Sequence, residues 1–198
     1  PAQPPMFCML LRKHLTGARI LEIVQPELER VLDFRLECVD ELGDRVERRL
    51  VLEALGRNAN LILLDGEGRI LDCMRRVDGD MSRQRQVLPG LFYRLPPDTG
   101  KGNFLRMTGE ELRAALANPL GREGDKLLLD TFQGISPLIA RELAFRAGGD
   151  GEALAAQVEA LAAQVEGGDF APYLLTRAGK AVDFTFLPLV QYGPDTQQ

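Results

Sequence analysis

A chain of 198 residues, 45% of them hydrophobic, is long enough for one large domain or two small ones with ordinary apolar cores. Its formal net charge of -5 argues against a protein that coats nucleic acid nonspecifically. Residues 1–96 carry equal numbers of acidic and basic side chains, so the negative excess falls in residues 97–198.

Arginines are concentrated near the end of the balanced region. Between positions 69 and 94, six arginines outnumber three aspartates: Arg69, Arg75, Arg76, Arg83, Arg85 and Arg94 against Asp72, Asp78 and Asp80. Because position matters more than total charge, this segment predicts either a locally basic face or an ordinary solvated strand face.

The first half of the chain has the pattern of an antiparallel β-sheet. Apolar residues at helical spacing predict a helix over residues 6–15, which Thr16-Gly17 ends. Candidate strands follow at residues 18–25, 30–39, 46–55, 60–65 and 69–75. In the second, alternation sets Val31, Asp33, Arg35 and Glu37 against Leu32, Phe34, Leu36 and Cys38. Short turns at Gly43-Asp44, Asn58-Ala59-Asn60 and Asp65-Gly66-Glu67-Gly68 favour sequential antiparallel pairing.

The second half is predicted to be helical. Thr108-Gly109-Glu110-Glu111 fits a capping box that begins a helix extending to about Asn118. Further helices are predicted over residues 125–132, 137–147 and 152–166, and a hairpin at 173–176 and 181–187 either joins the first sheet or caps the helices. The predicted class is α+β, divided into a β-rich lobe (1–97), a helical unit (98–168, with a helical hairpin at 125–147) and a terminal hairpin (169–198) that we expect either to return to the lobe or to lead into a coiled coil.

The residue types that usually carry catalysis or bind metals are scarce. Cys8, Cys38 and Cys73 are widely spaced without a paired motif, which favours free thiols in a reducing compartment. His14 is the only histidine, so the sequence offers almost no residues from which to build a histidine metal site or a serine–histidine dyad. We therefore expect a non-enzymatic protein without metal or cofactor.

The sequence predicts no membrane partner. It has neither a basic start followed by an apolar run nor an apolar span of transmembrane length, so we expect a cytoplasmic protein. It begins with Pro1 rather than Met, which is typical of an excised fragment.

Four blocks of sequence resemble the N-terminal region of the NFACT family. They are Pro4-Pro5-Met6-Phe7-Cys8-Met9-Leu10-Leu11-Arg12-Lys13-His14-Leu15, Gly56-Arg57-Asn58-Ala59-Asn60-Leu61-Ile62-Leu63-Leu64-Asp65, Val87-Leu88-Pro89-Gly90 and Phe132-Gln133-Gly134-Ile135-Ser136-Pro137. The family includes bacterial RqcH-type factors of ribosome quality control, also known as fibronectin-binding protein A homologues. None of these blocks is a catalytic signature.

The resemblance implies a tRNA-binding set of four residues. Glu29-Arg30 matches the place of an Asp-Arg pair implicated in holding tRNA in factors that add alanine tails, although this chain has Glu for Asp. The resemblance also places Glu53 and Arg57 near the tRNA anticodon loop. An arginine guanidinium binds phosphate groups well, and a carboxylate accepts hydrogen bonds from the amino groups of bases. The alternatives are a surface ion pair at Glu29-Arg30, and a Glu53 that faces solvent or pairs with a neighbouring arginine.

Residues 132–140 resemble a helix-hairpin-helix element, which holds nucleic-acid backbones at the amide-rich start of its second helix. Gly134 and Ser136 are the candidate phosphate contacts, whereas Ser136-Pro137 is equally a simple helix start. A hairpin beside a β unit also resembles the formamidopyrimidine-DNA glycosylase fold, whose amino-terminal proline is the nucleophile. Pro1 lacks an adjacent Glu, so we interpret that match as accidental.

The sequence is consistent with two functions. The first is an RNA-binding module that binds an alanine-type tRNA and the obstructed large ribosomal subunit with its peptidyl-tRNA, in support of alanine tailing of stalled chains. The alternative is a protein-interaction module that binds fibronectin.

Overall fold

An antiparallel sheet of five strands, in the order β1-β2-β3-β4-β5, forms the first half of the chain. The computed structural model describes residues 3–117, 121–193 and 196–197. The chain divides into two units, Pro1–Asp98 and Thr99–Gln198. Helix α1 (Met6–Leu15) precedes strands β1 (Arg19–Val24), β2 (Val31–Val39), β3 (Arg45–Glu53), β4 (Asn60–Asp65) and β5 (Ile70–Cys73). The predicted antiparallel β-rich lobe is confirmed.

Aspartates fix two of the tight turns between the strands. The Asp40 carboxylate accepts from the backbone N–H of Leu42 and of Asp44, each at 2.9 Å. The Asp65 carboxylate likewise accepts from the backbone N–H of Glu67 at 3.0 Å and of Arg69 at 2.8 Å. Such local bonds favour turns over continued strand, which is why the chain reverses at these points.

The core of the first unit lies on the inner face of the sheet, which we define by its buried cluster of Val31, Val51, Ile62, Leu64, Ile70, Cys73 and Val87. The alternation predicted for β2 needs correction, because the buried side chains change face along the strand. Val31 and Asp33 are buried at its start, and Leu36 and Cys38, on the opposite face, at its end. At its start, Val31 belongs to the cluster against which Val77 and Tyr93 pack, whereas at its end Cys38 lines a depression together with His14 of α1.

The described residues of the second unit form four α-helices: α2 (Gly109–Ala115), α3 (Gly124–Thr131), α4 (Pro137–Ala147) and α5 (Gly151–Gly167). The capping box is present, since the Thr108 side chain accepts from the Glu111 N–H and the Glu111 carboxylate accepts from the Thr108 N–H. Asn118, where sequence placed the end of α2, lies outside the described residues. The α3–α4 pair is the predicted helical hairpin. None of the helices in the described ranges combines the length and apolar character needed to cross a membrane.

The terminal hairpin belongs to a second, smaller sheet. Strand β6 (Tyr173–Arg177) lies between β7 (Lys180–Thr185) and β8 (Thr196–Gln197) in the order β7-β6-β8. Buried Glu142 of α4 binds the chain just after this hairpin, accepting from the Val190 N–H at 2.7 Å and the Gln191 N–H at 3.2 Å.

Candidate nucleic-acid interface

Glu29 and Arg30 end a tight turn that leads into β2. The Glu29 N–H donates to the Pro26 carbonyl at 2.9 Å, and the Gln25 side-chain amide donates to the Glu29 carbonyl at 2.9 Å. The Ala54 N–H then donates to the Arg30 carbonyl at 2.8 Å, which aligns Arg30 with the end of β3. The Arg30 side chain is exposed and that of Glu29 is half-buried.

Arg57 lies in a 3₁₀ turn, Gly56–Asn58, between β3 and β4. Its side chain is exposed. Arg75, which follows β5, donates from its guanidinium to the Arg57 carbonyl at 2.8 Å and to the Asn58 side-chain oxygen at 3.2 Å. The Asn60 side chain bonds both the N–H and the C=O of Arg75, at 2.9 and 2.7 Å. The turn that carries Arg57 is therefore fixed to the end of β5.

Strand register brings these segments to one end of the sheet. Val31 pairs with Glu53, and Glu53 pairs with Asn60, so the start of β2, the end of β3 and the start of β4 lie side by side. We call Glu29, Arg30, Glu53 and Arg57, together with Arg75, the sheet-end site. Its two exposed cations are Arg30 and Arg57, while Glu53 is in the core, 2% exposed.

The Glu53 carboxylate is held by an ion pair and a phenol. Arg85 donates to both carboxylate oxygens, at 3.2 Å from Nη1 to Oε2 and through Nη2 to Oε1, and the Tyr93 hydroxyl donates to Oε1 at 2.9 Å. Burial first, and the neighbouring Glu53 charge second, raise the pKa of the Tyr93 phenol. Glu53 therefore pairs with an arginine, which was one of the two alternatives from the sequence, and the other alternative, a solvent-facing Glu53, is wrong because the residue is 2% exposed. The sequence did not identify Arg85, which is 32 positions away, or the Tyr93 hydroxyl.

A second charged pair lies on the same inner face. Asp33 of β2, 6% exposed, binds Arg49 of β3 through both its carboxylate oxygens, with Arg49 Nε at 3.2 and 3.0 Å. Asp33 pairs with Val51 in the strand register, so the two ion pairs flank the apolar centre of this face. Buried charges of this kind need bidentate partners to offset their lost hydration.

A cavity of about 300 Å³ opens beside the sheet-end site. Its polar lining residues include Glu53, Asn58, Asn60, Arg75 and Arg85. Bonds within the protein hold both guanidinium groups in place, that of Arg75 on the Arg57 carbonyl and that of Arg85 on Glu53. Fixed guanidinium groups beside a small cavity suit phosphate oxygens and the polar edges of bases.

Gly134 and Ser136 lie in the second unit, at the turn of the helical hairpin. Gly134 has a φ of +80°, which a residue with a side chain rarely adopts, so the turn requires glycine. The Ser136 hydroxyl accepts from the Ile139 N–H at 3.3 Å, as an N-cap. The start of α4 opens onto a largely apolar cavity of about 760 Å³ that Phe170, Phe184 and Phe186 help to line.

The cysteines and the single histidine, which the sequence analysis did not assign to a site, lie in the first unit. Cys38 and Cys73 are buried, and burial raises the pKa of the Cys73 thiol to about 11. Burial, followed by the charges of Arg48 and Lys13, lowers the pKa of His14. Among the described residues no group of three His, Cys, Asp or Glu side chains has metal-binding geometry. Pro1 lies outside the described residues.

Comparison with known proteins finds relatives along the whole chain. Rqc2 homolog RqcH of Bacillus subtilis (strain 168) is 40% identical over 182 residues, covering 91% of this chain and 32% of that protein. Rqc2 homolog RqcH of Streptococcus suis (strain 05ZYH33) is 36% identical over 145 residues, covering 73% of this chain and 26% of that protein. The chain thus spans a third or less of the length of these curated relatives.

Solved structures share the fold. The fibrinogen binding protein from Staphylococcus aureus superposes with a TM-score of 0.85 at 32% identity, covering 98% of this chain and 71% of that one. The N-terminal domain of fibronectin-binding protein PavA from Streptococcus pneumoniae superposes with a TM-score of 0.66 at 27% identity, covering 100% of this chain and 68% of that one. The family model of NFACT N-terminal and middle domains matches residues 1–198. The resemblance is therefore confirmed, and the chain belongs to the NFACT family.

Proposed function

We propose that this chain is the tRNA-binding module of a cytoplasmic ribosome quality control factor. Its relatives named RqcH support this assignment. In the proposal, the module holds an alanine-type tRNA against the obstructed large ribosomal subunit while alanine is added to the stalled chain. The module contributes binding and orientation, and no bond is made or broken by its own side chains.

The observation that carries the proposal is the sheet-end site. Two exposed arginines, Arg30 and Arg57, are brought together from segments that are 27 positions apart by the pairing of β2 with β3 and the turn after it. Backbone bonds hold both of their segments, and Arg75 fixes the Arg57 turn from behind. Because the backbone at both positions is already ordered, binding a phosphate backbone costs only the freedom of the two side chains.

The two acids of the predicted set take different parts in this proposal. In the part of the chain that the structure describes, the Glu29 carboxylate has no hydrogen-bond or ion-pair partner, so it is available to accept from a base amino group beside Arg30. Glu53 is occupied by Arg85 and Tyr93. We therefore assign Glu53 a positioning role at the end of β3 rather than a contact with RNA.

Titration of the 198-residue chain with alanine tRNA tests the proposal. We expect Arg30→Ala and Arg57→Ala each to weaken binding by roughly tenfold, since a charge-assisted hydrogen bond contributes about 1.5 kcal/mol. Arg45→Ala is the matched control, because Arg45 is an exposed arginine at the opposite end of β3. If all three variants bind alanine tRNA with equal affinity, the sheet-end site is not the tRNA-binding surface.

A second candidate is protein binding, favoured by the names of the Staphylococcus aureus and Streptococcus pneumoniae structures. Under this alternative the chain binds immobilised fibronectin at concentrations where it does not bind tRNA, and Arg30→Ala and Arg57→Ala leave that binding unchanged. Gradient fractionation of cells separates the two functions further. The proposed function places the intact protein with large ribosomal subunits, whereas the alternative places it at the cell surface.

A further inference from the structure

A second cationic depression lies beside the sheet-end site, in a segment that neither the predicted tRNA-binding set nor the helical hairpin includes. This cavity, of about 460 Å³, is lined by Arg69, Arg83, Arg85 and Arg94 together with Gln84 and Phe92, among others. We call it the arginine groove. Its lining includes no aspartate or glutamate, so a positive potential is concentrated there in a chain whose net charge is -5.

The four arginines are engaged to different degrees. Arg85 is neutralised by Glu53. Arg69 donates to the Gly90 carbonyl at 2.9 Å, and its guanidinium carbon lies 4.4 Å from the centroid of the Phe92 ring. Arg83 and Arg94 are exposed, and their guanidinium groups have no hydrogen-bond or ion-pair partner within the described ranges. Two cations of the groove are therefore free to meet an anion.

The groove is fixed by backbone bonds. The Ile70 N–H donates to the Leu91 carbonyl and the Gly90 N–H donates to the Ile70 carbonyl, both at 2.8 Å. The Tyr93 N–H donates to the Gly68 carbonyl at 2.9 Å. Arg85 Nε donates to the Arg94 carbonyl at 2.7 Å while its other nitrogens bind Glu53. The buried ion pair thus anchors the strip of chain that carries Arg94, so the groove exists before any ligand arrives.

We propose that the arginine groove binds a stretch of RNA backbone next to the tRNA segment held at the sheet-end site, with an unpaired base stacked on Phe92. Guanidinium groups match phosphate geometry. The Phe92 ring is 54% exposed although Arg69 covers one part of it, and aromatic rings beside cations are typical of single-strand binding surfaces. An acidic protein partner would pair with the arginines of the groove, but it would offer no base to stack on the exposed Phe92 ring.

The arginine groove is continuous with the cavity beside the sheet-end site, so one RNA strand could contact both. The two cavities share Gln84 and Arg85 as lining residues. The inference therefore rests on the proposed function: the same RNA passes from Arg30 and Arg57 over Arg85 to Arg83 and Arg94. It extends the predicted four-residue set to a second group of contacts that alignment with the Asp-Arg pair does not indicate.

Salt-dependent titration with alanine tRNA tests the groove. Each phosphate contact contributes about 0.7 to the slope of log affinity against log salt for a single strand. The Arg83→Ala/Arg94→Ala variant should lower the magnitude of that slope by about 1.4, whereas Phe92→Leu should weaken binding severalfold at every salt concentration without changing the slope. Polyphosphate, which has no bases, serves as a second probe. It should respond to the double arginine variant but not to Phe92→Leu.

The control is Arg19→Ala/Arg45→Ala, which removes the same charge at the opposite end of the sheet, where Arg19 pairs with Glu37 and Arg45 pairs with Val39. Melting curves establish that every variant is folded. If the groove variant matches this control while Arg30→Ala and Arg57→Ala weaken binding, the groove inference alone is overturned. If wild-type chain binds no RNA, both proposals are overturned. If only the groove variants lose affinity, the groove stands and the sheet-end site does not.

Discussion

Each half of the molecule buries one glutamate, and the two are satisfied in different ways. Glu53 of the β unit and Glu142 of the helical unit are 2% and 0% exposed. Side chains from a distant loop, Arg85 and Tyr93, satisfy Glu53. Glu142 instead binds the backbone N–H groups of Val190 and Gln191, and Arg146 one turn away.

Glu142 has a structural role within its own unit, whereas Glu53 also supports a binding surface. Glu142 ties the chain after the small sheet to α4, and its partners are mostly backbone, so its effect stays within that unit. Glu53 fixes Arg85, which lines both cavities of the β unit. Equal burial therefore does not mean equal function: the groups that surround a buried carboxylate decide whether it stabilises the fold or also shapes a binding surface.

The largest effect is expected for Glu142→Ala. The substitution leaves two backbone N–H groups and the Arg146 Nε–H without their acceptor, which should destabilise the helical unit by about 3–5 kcal/mol. Thermal melting followed by circular dichroism measures this loss. The control is Glu159→Gln in the exposed Arg113–Glu159 pair of the same unit, where we expect less than about 1 kcal/mol. An equal, small loss in both variants would show that Glu142 does not hold the terminal segment.

A double-mutant cycle on Glu53 and Arg85 sharpens the comparison. Glu53→Gln strands a guanidinium that is 13% exposed, so we expect a loss of about 3 kcal/mol. Adding Arg85→Met should recover most of that loss, because no unpaired buried charge then remains. Glu22→Gln, in an exposed pair with Arg35, is the control and should cost less than about 1 kcal/mol. Simple additivity of the two substitutions would contradict the interpretation of a tight pair.

A smaller effect distinguishes the two interpretations of Ser136. Ser136→Ala removes the N-cap of α4 and should cost about 1 kcal/mol, whereas Ser136→Asp keeps a capping oxygen and should preserve stability. The aspartate also adds a negative charge at the turn of the helical hairpin. If Ser136 and Gly134 contact phosphate, Ser136→Asp weakens tRNA binding more than Ser136→Ala does. If Ser136 is only a cap, the affinity of Ser136→Asp equals that of wild type.

The sequence was most informative where local patterns decide structure. The predicted helix at 6–15 and that at 137–147 have the observed bounds, and each of the five predicted strands lies within two residues of an observed one. Thr108 and Glu111 identify a capping box because its two bonds join residues three apart. Aspartate turns and the alternation of side chains between the two faces of a strand are equally local, so single-sequence patterns predict them, but they did not predict that the buried face changes along β2.

What the sequence left open depends on contacts between distant segments. The Glu53 charge demanded a partner, but six arginines follow it between positions 69 and 94, and only the folded path of residues 83–94 selects Arg85. The burial of Asp33 was missed for the same reason. Nor does the pattern at 173–187 show which sheet the hairpin joins, because backbone pairing with β8 carries no side-chain signature.

Ultraviolet crosslinking of alanine tRNA to the wild-type chain, followed by mass spectrometry of the crosslinked peptides, tests the central claim most directly. The account predicts crosslinks in residues 26–30 and 54–60, at the sheet-end site, and a second group in residues 83–94. Crosslinks confined to the helical unit, or to the opposite end of the sheet around Arg19 and Arg45, would contradict it.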